Sequence, residues 1–476
     1  MTSAGADGPD TIARSEGPAA DAGTSSEAWL IVWLLTIATV VAYSDRLVFN
    51  LLIGDIRAAL HLADTEFSLL QGTAFGVVFA CASPAWAWLS DRTSRRGVLV
   101  AGMILWSVAT IGCGLASTYG AMFLARALVG LGEAALLPTA IALICERFAP
   151  GRRSGALSVL LAGAGVGPGI GVLGGGLLLK LTATAAFGSI PFLRLLPSWR
   201  AVLVLAGLPA LLLAIILLRM LRRLEAPAVG RGTAGPEVSQ ASRTTGQAVR
   251  VPAMALAWGY LAASFYLIAN WAELSWVPAL LIRRHGLSAA AAGDVFGLVT
   301  IVSGALAPRI ATLLSDRLRH RWGLQGRYFA PALGLIFACP ACVLLLANVT
   351  SVTVLAAFAL DTSIFVAAVG FAMALQDILP TRSLAFGSSI TYFLSGFVGS
   401  GFGPTLVAVA TDRLYRNDAA VGQSLVTVTL PAVLIAAAAF LVGARFLRRD
   451  SSRPLTLAPV GVGGLHAVSI DKREGK

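Results

Sequence analysis

Apolar residues run through this chain in blocks of about twenty or more, the length a helix needs to cross a hydrocarbon layer roughly 30 Å thick. Twelve such blocks can be marked: 28–53, 67–89, 97–116, 119–145, 154–180 and 199–221, then 252–282, 290–313, 329–348, 351–378, 383–410 and 422–446. In lipid, a backbone must satisfy its polar groups internally, so each block is a predicted membrane-spanning helix. The pattern predicts an all-α polytopic membrane protein with a first six-helix bundle over 28–223 and a second over 251–447. The polar stretches fit around them. Residues 1–27 are small and mildly acidic and read as a disordered tail. They lack the basic start of a signal peptide, so the first block is expected to be retained. Residues 224–250 are rich in Gly, Ser, Thr and Pro and read as a linker, and 448–476 as a tail.

Charge between the blocks sets an orientation. The loops after the second, fourth, sixth and eighth blocks carry clusters such as Arg92, Arg95 and Arg96, or Arg147, Arg152 and Arg153, whereas the intervening loops are poorer in arginine. Positive loops stay on the cytoplasmic side, which places both termini, the linker and the tail in the cytoplasm. Composition agrees: the 476 residues are 57% hydrophobic and 13% charged, with mean hydropathy +0.80, against about 25% charged in soluble domains. The net charge of +12 is spread over alternate loops rather than pooled, so it signals topology and contact with membrane lipids, not nucleic acid.

Several apparent motifs carry no chemistry. Cys339 and Cys342 spell C-x-x-C, but no further Cys or His cluster accompanies them and the reading is helix packing. The run G-x-G-x-x-G at 169–174 lies inside an apolar block with no strand before it, and no G-x-x-x-x-G-K-[ST] occurs. His61, His285, His320 and His466 all fall outside the apolar blocks, so neither a metal site nor a histidine relay is expected. No cofactor is implied, and an intramembrane enzyme would lack its nucleophile–base pair.

The two halves repeat. "LSDR" at 89–92 follows the second block and recurs at 314–317 after the eighth, an offset that also aligns Leu62 with Leu287 and Gly72 with Gly297. "GAGVGP" at 163–168 and "GSGFGP" at 399–404 occupy the fifth block of each half. Tandem halves of this kind are the architecture of many secondary transporters, with the substrate site between them. Gly163, Gly167 and Pro168 would let helices approach closely and bend or slide. Asp91, Arg92, Arg95 and Arg96, with Asp316 and Arg317 in the second half, would form charge networks that change with conformation.

These stretches also carry a family resemblance. "AWLSDRTSRRGVL" resembles the loop 2–3 motif of the major facilitator superfamily, with Ala87 and Ser94 at its glycine positions. "GAGVGPGIGV" is similar to the helix 5 antiporter motif, with Val172 replacing the last glycine. "YSDR", "LARALVGLGEAALLP", "ERFAPGRR" and "GSGFGPTLV" resemble the bacterial spinster-like branch. The resemblance implies the major facilitator fold, a bacterial inner membrane location, a monomer, and proton-linked export of a lipid-like or other amphipathic solute.

Charges inside spans are functional candidates by default. They are Asp45 and Arg46 in the first block, Arg126 and Glu133 in the fourth, Glu273 in the seventh and Asp361 in the tenth. At about 1.5 Å per residue, Asp45 and Arg126 lie at similar depth and Glu133 near the midplane. Adjacent residues diverge by about 100° around a helix, so Asp45 and Arg46 need different partners. The economical pairing is Asp45 with Arg126 and Arg46 with Glu133. Burial favours the protonated form of a carboxylate and a nearby arginine the ionised form, so an Arg46–Glu133 contact made in one state alone would couple protons to transport. Glu133 and Asp45 are the candidate proton carriers. Glu273, Asp361, Tyr266, Asn270 and Trp271 are candidates for a substrate wall in the second half, with Arg46 and Arg126 facing an anionic or polar head. Two rivals remain at this stage: an organic-anion or sugar-acid symporter, and a passive lipid scramblase.

Overall fold

The computed structural model describes residues 26–148, 150–184, 195–224 and 252–451. The N-terminal tail up to residue 25, the linker from residue 225 to 251 and the tail after Ser451 lie outside the described residues. Helices account for nearly all of what is described. We number the spanning helices α1 Ser26–Leu51, α2 Asp64–Arg92, α3 Arg95–Leu115, α4 Tyr119–Arg147, α5 Pro150–Thr182 and α6 Ser198–Leu224. The second half continues with α7 Ala253–His285, α8 Ala289–Trp322, α9 Gly326–Leu344, α10 Thr350–Ile378, α11 Phe386–Tyr415 and α12 Val421–Ser451. By length and hydropathy alone there are eleven spanning stretches, because α8 and α9 join through one short turn at Gly323–Gln325 into a stretch of 56 residues. That stretch is long enough to cross twice, which restores the expected twelve.

Many of the large apolar side chains that stay exposed, among them Trp33, Leu124, Leu212, Phe337 and Leu355, sit on these helices, as an integral membrane protein facing hydrocarbon requires. The expected boundaries hold to within a few residues except in α8, which runs as a helix past 313 to Trp322 and carries the second "LSDR" within it.

The repeat reaches into the backbone. His61 closes a short helix, Ile53–Leu60, in the left-handed conformation at φ 53°. Its counterpart in the second half, Gly286, closes α7 at φ 68°, each followed by the aligned leucines 62 and 287. Asn50 Nδ2 donates to Ser275 Oγ at 3.2 Å, and the two are 225 residues apart, the same offset as the "LSDR" pair. Residues that touch their own repeat equivalents lie on the pseudo-two-fold axis, so this contact marks the centre of the molecule.

Small residues let the halves meet. In α5, positions 163, 167 and 171 face α1: a Cβ on Gly163 would stand 2.9 Å from Thr36 O, and one on Gly171 2.3 Å from Ser44 Cα. The alternate glycines of α5 face α8, where a Cβ on Gly169 would meet Gly297 O at 2.7 Å. One glycine-rich helix thus packs within its own bundle on one face and across to the other bundle on the next. The α2–α11 crossing repeats the device, with a Cβ on Gly72 landing 2.7 Å from Gly401 O. Both helices carry a π-helical turn there, Leu70–Val77 and Ser395–Ser400, a feature that bends a helix locally.

Candidate functional site

We call the end bearing the two "LSDR" segments the LSDR end, and the opposite one the far end. Between the halves lies a cavity of about 310 Å³. Its walls come from α1 (Tyr43, Arg46), α2 (Phe75, Phe79, Ser83), α4 (Leu137, Pro138, Ile141), α7 (Trp271) and α11 (Ser389, Tyr392, Phe393). It runs from mid-membrane toward the LSDR end. The lining is aromatic and aliphatic, with one charge at its head.

That charge is Arg46, 6% exposed. Its Nε donates to Glu133 Oε2 at 2.7 Å, and its Cζ stands 4.6–4.7 Å from the ring centroids of Tyr43, Phe75 and Phe79. A desolvated guanidinium is held at each such ring by about 2 kcal/mol. Glu133 ends the first segment of α4, Tyr119–Glu133, before the helix resumes at Leu136. Gly130 and Gly132 bring α4 close here, with Cβ positions 2.5 Å from Phe75 O and 2.6 Å from Trp106 N. The Arg46–Glu133 pairing is the one the helix geometry predicted.

The second pairing differs. Asp45 Oδ2 accepts from Thr110 Oγ1 of α3 at 2.5 Å, and no ion pair joins it to Arg126 among the described residues. Arg126 instead lies over Phe49 and Phe75, its Cζ 4.3 and 5.0 Å from the ring centroids, and its buried Nε has no protein partner. The expected Asp45–Arg126 pair is not made, because rotation about the helix turns Asp45 toward α3.

Just beyond the cavity, toward the far end, is a void of about 10 Å³ lined by Arg46, Asn50, Gln71, Arg126 and Ser275. Gln71 Nε2 donates to Asn50 Oδ1, so these amides and hydroxyls form one connected polar layer on the axis. The void is about the size of one water molecule.

The second-half candidates divide. Trp271 is the repeat equivalent of Arg46, offset by 225 residues, and it lines the cavity, its Nε1 donating to Ser395 Oγ at 3.2 Å. Asn270 is half-buried and does not line it. Tyr266, Glu273 and Asp361 lie inside the second bundle, 1%, 0% and 0% exposed. Tyr266 stacks on Phe440 at 6.4 Å. On the second-half side the cavity wall is built by α11 aromatics with Trp271, not by these three.

The motif residues form two equivalent charge triangles at the LSDR end. Arg95 bonds Asp91 at 3.3 Å and Glu146 at 2.5 Å. Arg327 bonds Asp316 at 2.8 Å and Asp377 at 2.6 Å. In each half an arginine at the start of the third helix ties the ends of the second and fourth. Arg92 lies over Trp88, 4.3 Å from its centroid, Arg96 is engaged with other groups, and Arg317 takes no part in its triangle. Arg327 and Asp377 were missing from the sequence expectations: they stand 232 and 231 residues after Arg95 and Glu146, so the offset of 225 does not lead to them.

Also missing was the far-end seam. Asp64, with a fully buried side chain, takes both arms of Arg283 at 2.7 Å and Arg57 at 2.8 Å. Arg57 reaches Asp418 at 3.0 Å, Asp412 Oδ2 accepts both the N–H and the hydroxyl of Thr65 at 2.7 Å, and Lys180 pairs with Asp294. Asp64, Asp412 and Asp418 bring carboxylate oxygens within 4.8 Å of one another, but the two arginines already supply the counter-charge, so the cluster calls for no metal.

Two pseudo-repeated helical halves around a central cavity, closed at one end by ion pairs between them, define a two-bundle membrane transporter. The chain belongs to the Major Facilitator Superfamily, whose model matches residues 35–404, and this places it among transporters rather than enzymes. Among its relatives are an MFS-type efflux pump of Mycolicibacterium smegmatis, 27% identical over 90% of this chain and 96% of that one. Protein spinster homolog 1 of Homo sapiens is 26% identical over 82% of this chain and 74% of that one. Its fold matches the crystal structure of a bacterial homolog to the human lysosomal transporter Spinster, in the inward-facing and unoccupied conformation. That match has TM-score 0.74 at 22% identity and covers 91% of this chain and all of the other.

Proposed function

We propose that this protein is a proton-driven exporter of an amphipathic organic solute, working by alternating access as a monomer in a bacterial inner membrane with both termini and the LSDR end cytoplasmic. The observation that carries the reading is the buried Arg46–Glu133 contact at the head of an aromatic cavity. A greasy body fits the Phe and Tyr walls, and a polar or anionic head fits Arg46 with Arg126, whose Nε is free to donate. The efflux pump and spinster relatives point to the same class of activity. Arg46 cannot serve Glu133 and an anionic head equally well. With the LSDR end open it holds Glu133 ionised, so the proton leaves to that side as solute loads; when the far end opens and the pair parts, Glu133 takes up a proton from that side as the solute leaves. Asp45, held by Thr110, is the second candidate carrier on this route.

The test is Glu133→Gln in proteoliposomes under an imposed pH gradient, over a panel of lysolipids, drugs and organic acids. Accumulation driven by the gradient is lost, while substrate-for-substrate exchange without a gradient persists. Transport with unchanged pH dependence would sink the assignment. Substrate and protons moving in the same direction would favour the organic-anion symporter.

A further inference from the structure

Glu273 of α7 and Asp361 of α10 are each 0% exposed and lie inside the second bundle, away from the cavity. Asp361 is the charge that acts on Glu273, and no arginine, lysine or histidine among the described residues acts on either. None of their four carboxylate oxygens receives a hydrogen bond of ordinary geometry. The polar neighbours from the surrounding helices are the thiol of Cys342 on α9, beside Glu273, and the hydroxyl of Ser303 on α8, beside Asp361. Ser303 Oγ accepts from Thr362 Oγ1 at 3.0 Å, which leaves its own proton free to face Asp361.

Two ionised carboxylates placed together at this depth would lack any counter-charge. Each unpaired buried ion would carry a desolvation cost that nothing around it repays. Like charges that share a site resolve the conflict by taking a cation between them. Hard metal ions take about six or more oxygens, and this pair with Ser303 offers five. A proton needs only the two carboxyl groups, one donating and the other accepting.

We propose that Glu273 and Asp361 form a proton-binding site of the second bundle, holding one proton between them in the state seen here and releasing it when α7 separates from α10. The site is placed to sense transport. Two residues either side of Glu273, Trp271 forms part of the cavity wall and Ser275 bonds Asn50 of the first half at 3.2 Å. Movement of α7 that reshapes the cavity therefore also changes the distance between the two acids. This site is separate from Glu133, on different helices in the other half, and its occupancy is measured without transport.

The test is infrared spectroscopy of the full-length protein in liposomes, reading the carbonyl stretch of protonated carboxyl groups through a pH titration. The expected result is a protonated-carboxyl band that Glu133→Gln leaves in place and that shifts in either Glu273→Gln or Asp361→Asn. The double variant loses it, by about one carboxyl equivalent per chain. A band unchanged in the double variant would overturn the proposal. So would a band removed by sodium chloride but not by choline chloride at fixed pH, which would assign the pair to an alkali cation. Should the double variant fail to fold, an unshifted band in both single variants is the overturning result.

Discussion

At the far end of the molecule charged residues join one half to the other; at the LSDR end the same residue types join helices within each half. Asp64, from the first half, is gripped by Arg283 of the second, while Arg95 and Arg327 keep to their own bundles. The ends also differ in burial. The Asp64 side chain is fully covered, whereas that of Glu146 is 54% exposed. Contacts within a half can survive a rocking motion, since each bundle moves as a body. Contacts between halves cannot, so the far-end pairs are the ones a change of access must break. On the proposed alternating-access reading, the triangles hold each bundle together and the seam sets which end is open.

The largest test of that contrast is Asp64→Asn. It leaves Arg57 and Arg283 facing each other across the seam without their shared anion. Truncating one partner of a buried, hydrogen-bonded charge pair costs about 2–5 kcal/mol, and the amide retains part of the hydrogen bonding. A shift of roughly 30- to 150-fold toward the far-end-open state, about 2–3 kcal/mol, is expected. Hydrogen–deuterium exchange reads both ends at once: amides over 62–70 and 410–420 gain exchange while those over 389–400 lose it. Faster exchange at both ends would mean simple loosening and would break the comparison.

Much of this was legible in the residues, and the limits have physical causes. Block lengths gave the helices because an apolar block of that length crossing lipid alone must satisfy its own backbone, and offset 225 gave the repeat before any contact was known. Arg46–Glu133 was legible because both lie deep in their spans, where few charges compete. Asp45 was misassigned because Thr110 looks like any hydroxyl in a span, and helix rotation, not depth, chooses between Thr110 and Arg126. Glu273 and Asp361 were placed on the cavity by analogy with α1 and α4, but the side-chain direction of each turns into its own bundle. The seam was invisible for another reason. Asp64, Arg283 and Asp418 sit at span ends, where charges ordinarily meet water, and only tertiary contact reveals which are buried.

A smaller effect should come from the packing between halves rather than from charge. A methyl group added by Gly72→Ala would stand 2.7 Å from Gly401 O and 2.8 Å from Ser400 O, both backbone atoms that cannot rotate away. Overpacking of this kind costs about 1–3 kcal/mol, and a wedge between α2 and α11 is relieved when the halves part. The expected outcome is about a tenfold shift in the same direction as Asp64→Asn, in the same exchange measurement. A shift the opposite way would mean that this crossing tightens when the far end opens.

The smallest effect sharpens the comparison most. Lys180 and Asp294 also join the halves at the far end, so by location alone Lys180→Ala should resemble Asp64→Asn. Their side chains, however, are 51% and 37% exposed. Water screens such a pair, and exposed ion pairs contribute about 0–1 kcal/mol. Lys180→Ala is therefore expected to change the exchange at 410–420 by less than about fivefold and to leave 389–400 unaltered. An effect equal to that of Asp64→Asn would show that any charge bridging the seam holds it shut, whatever its exposure. A small effect places the holding force in the one fully buried carboxylate and the two arginines around it.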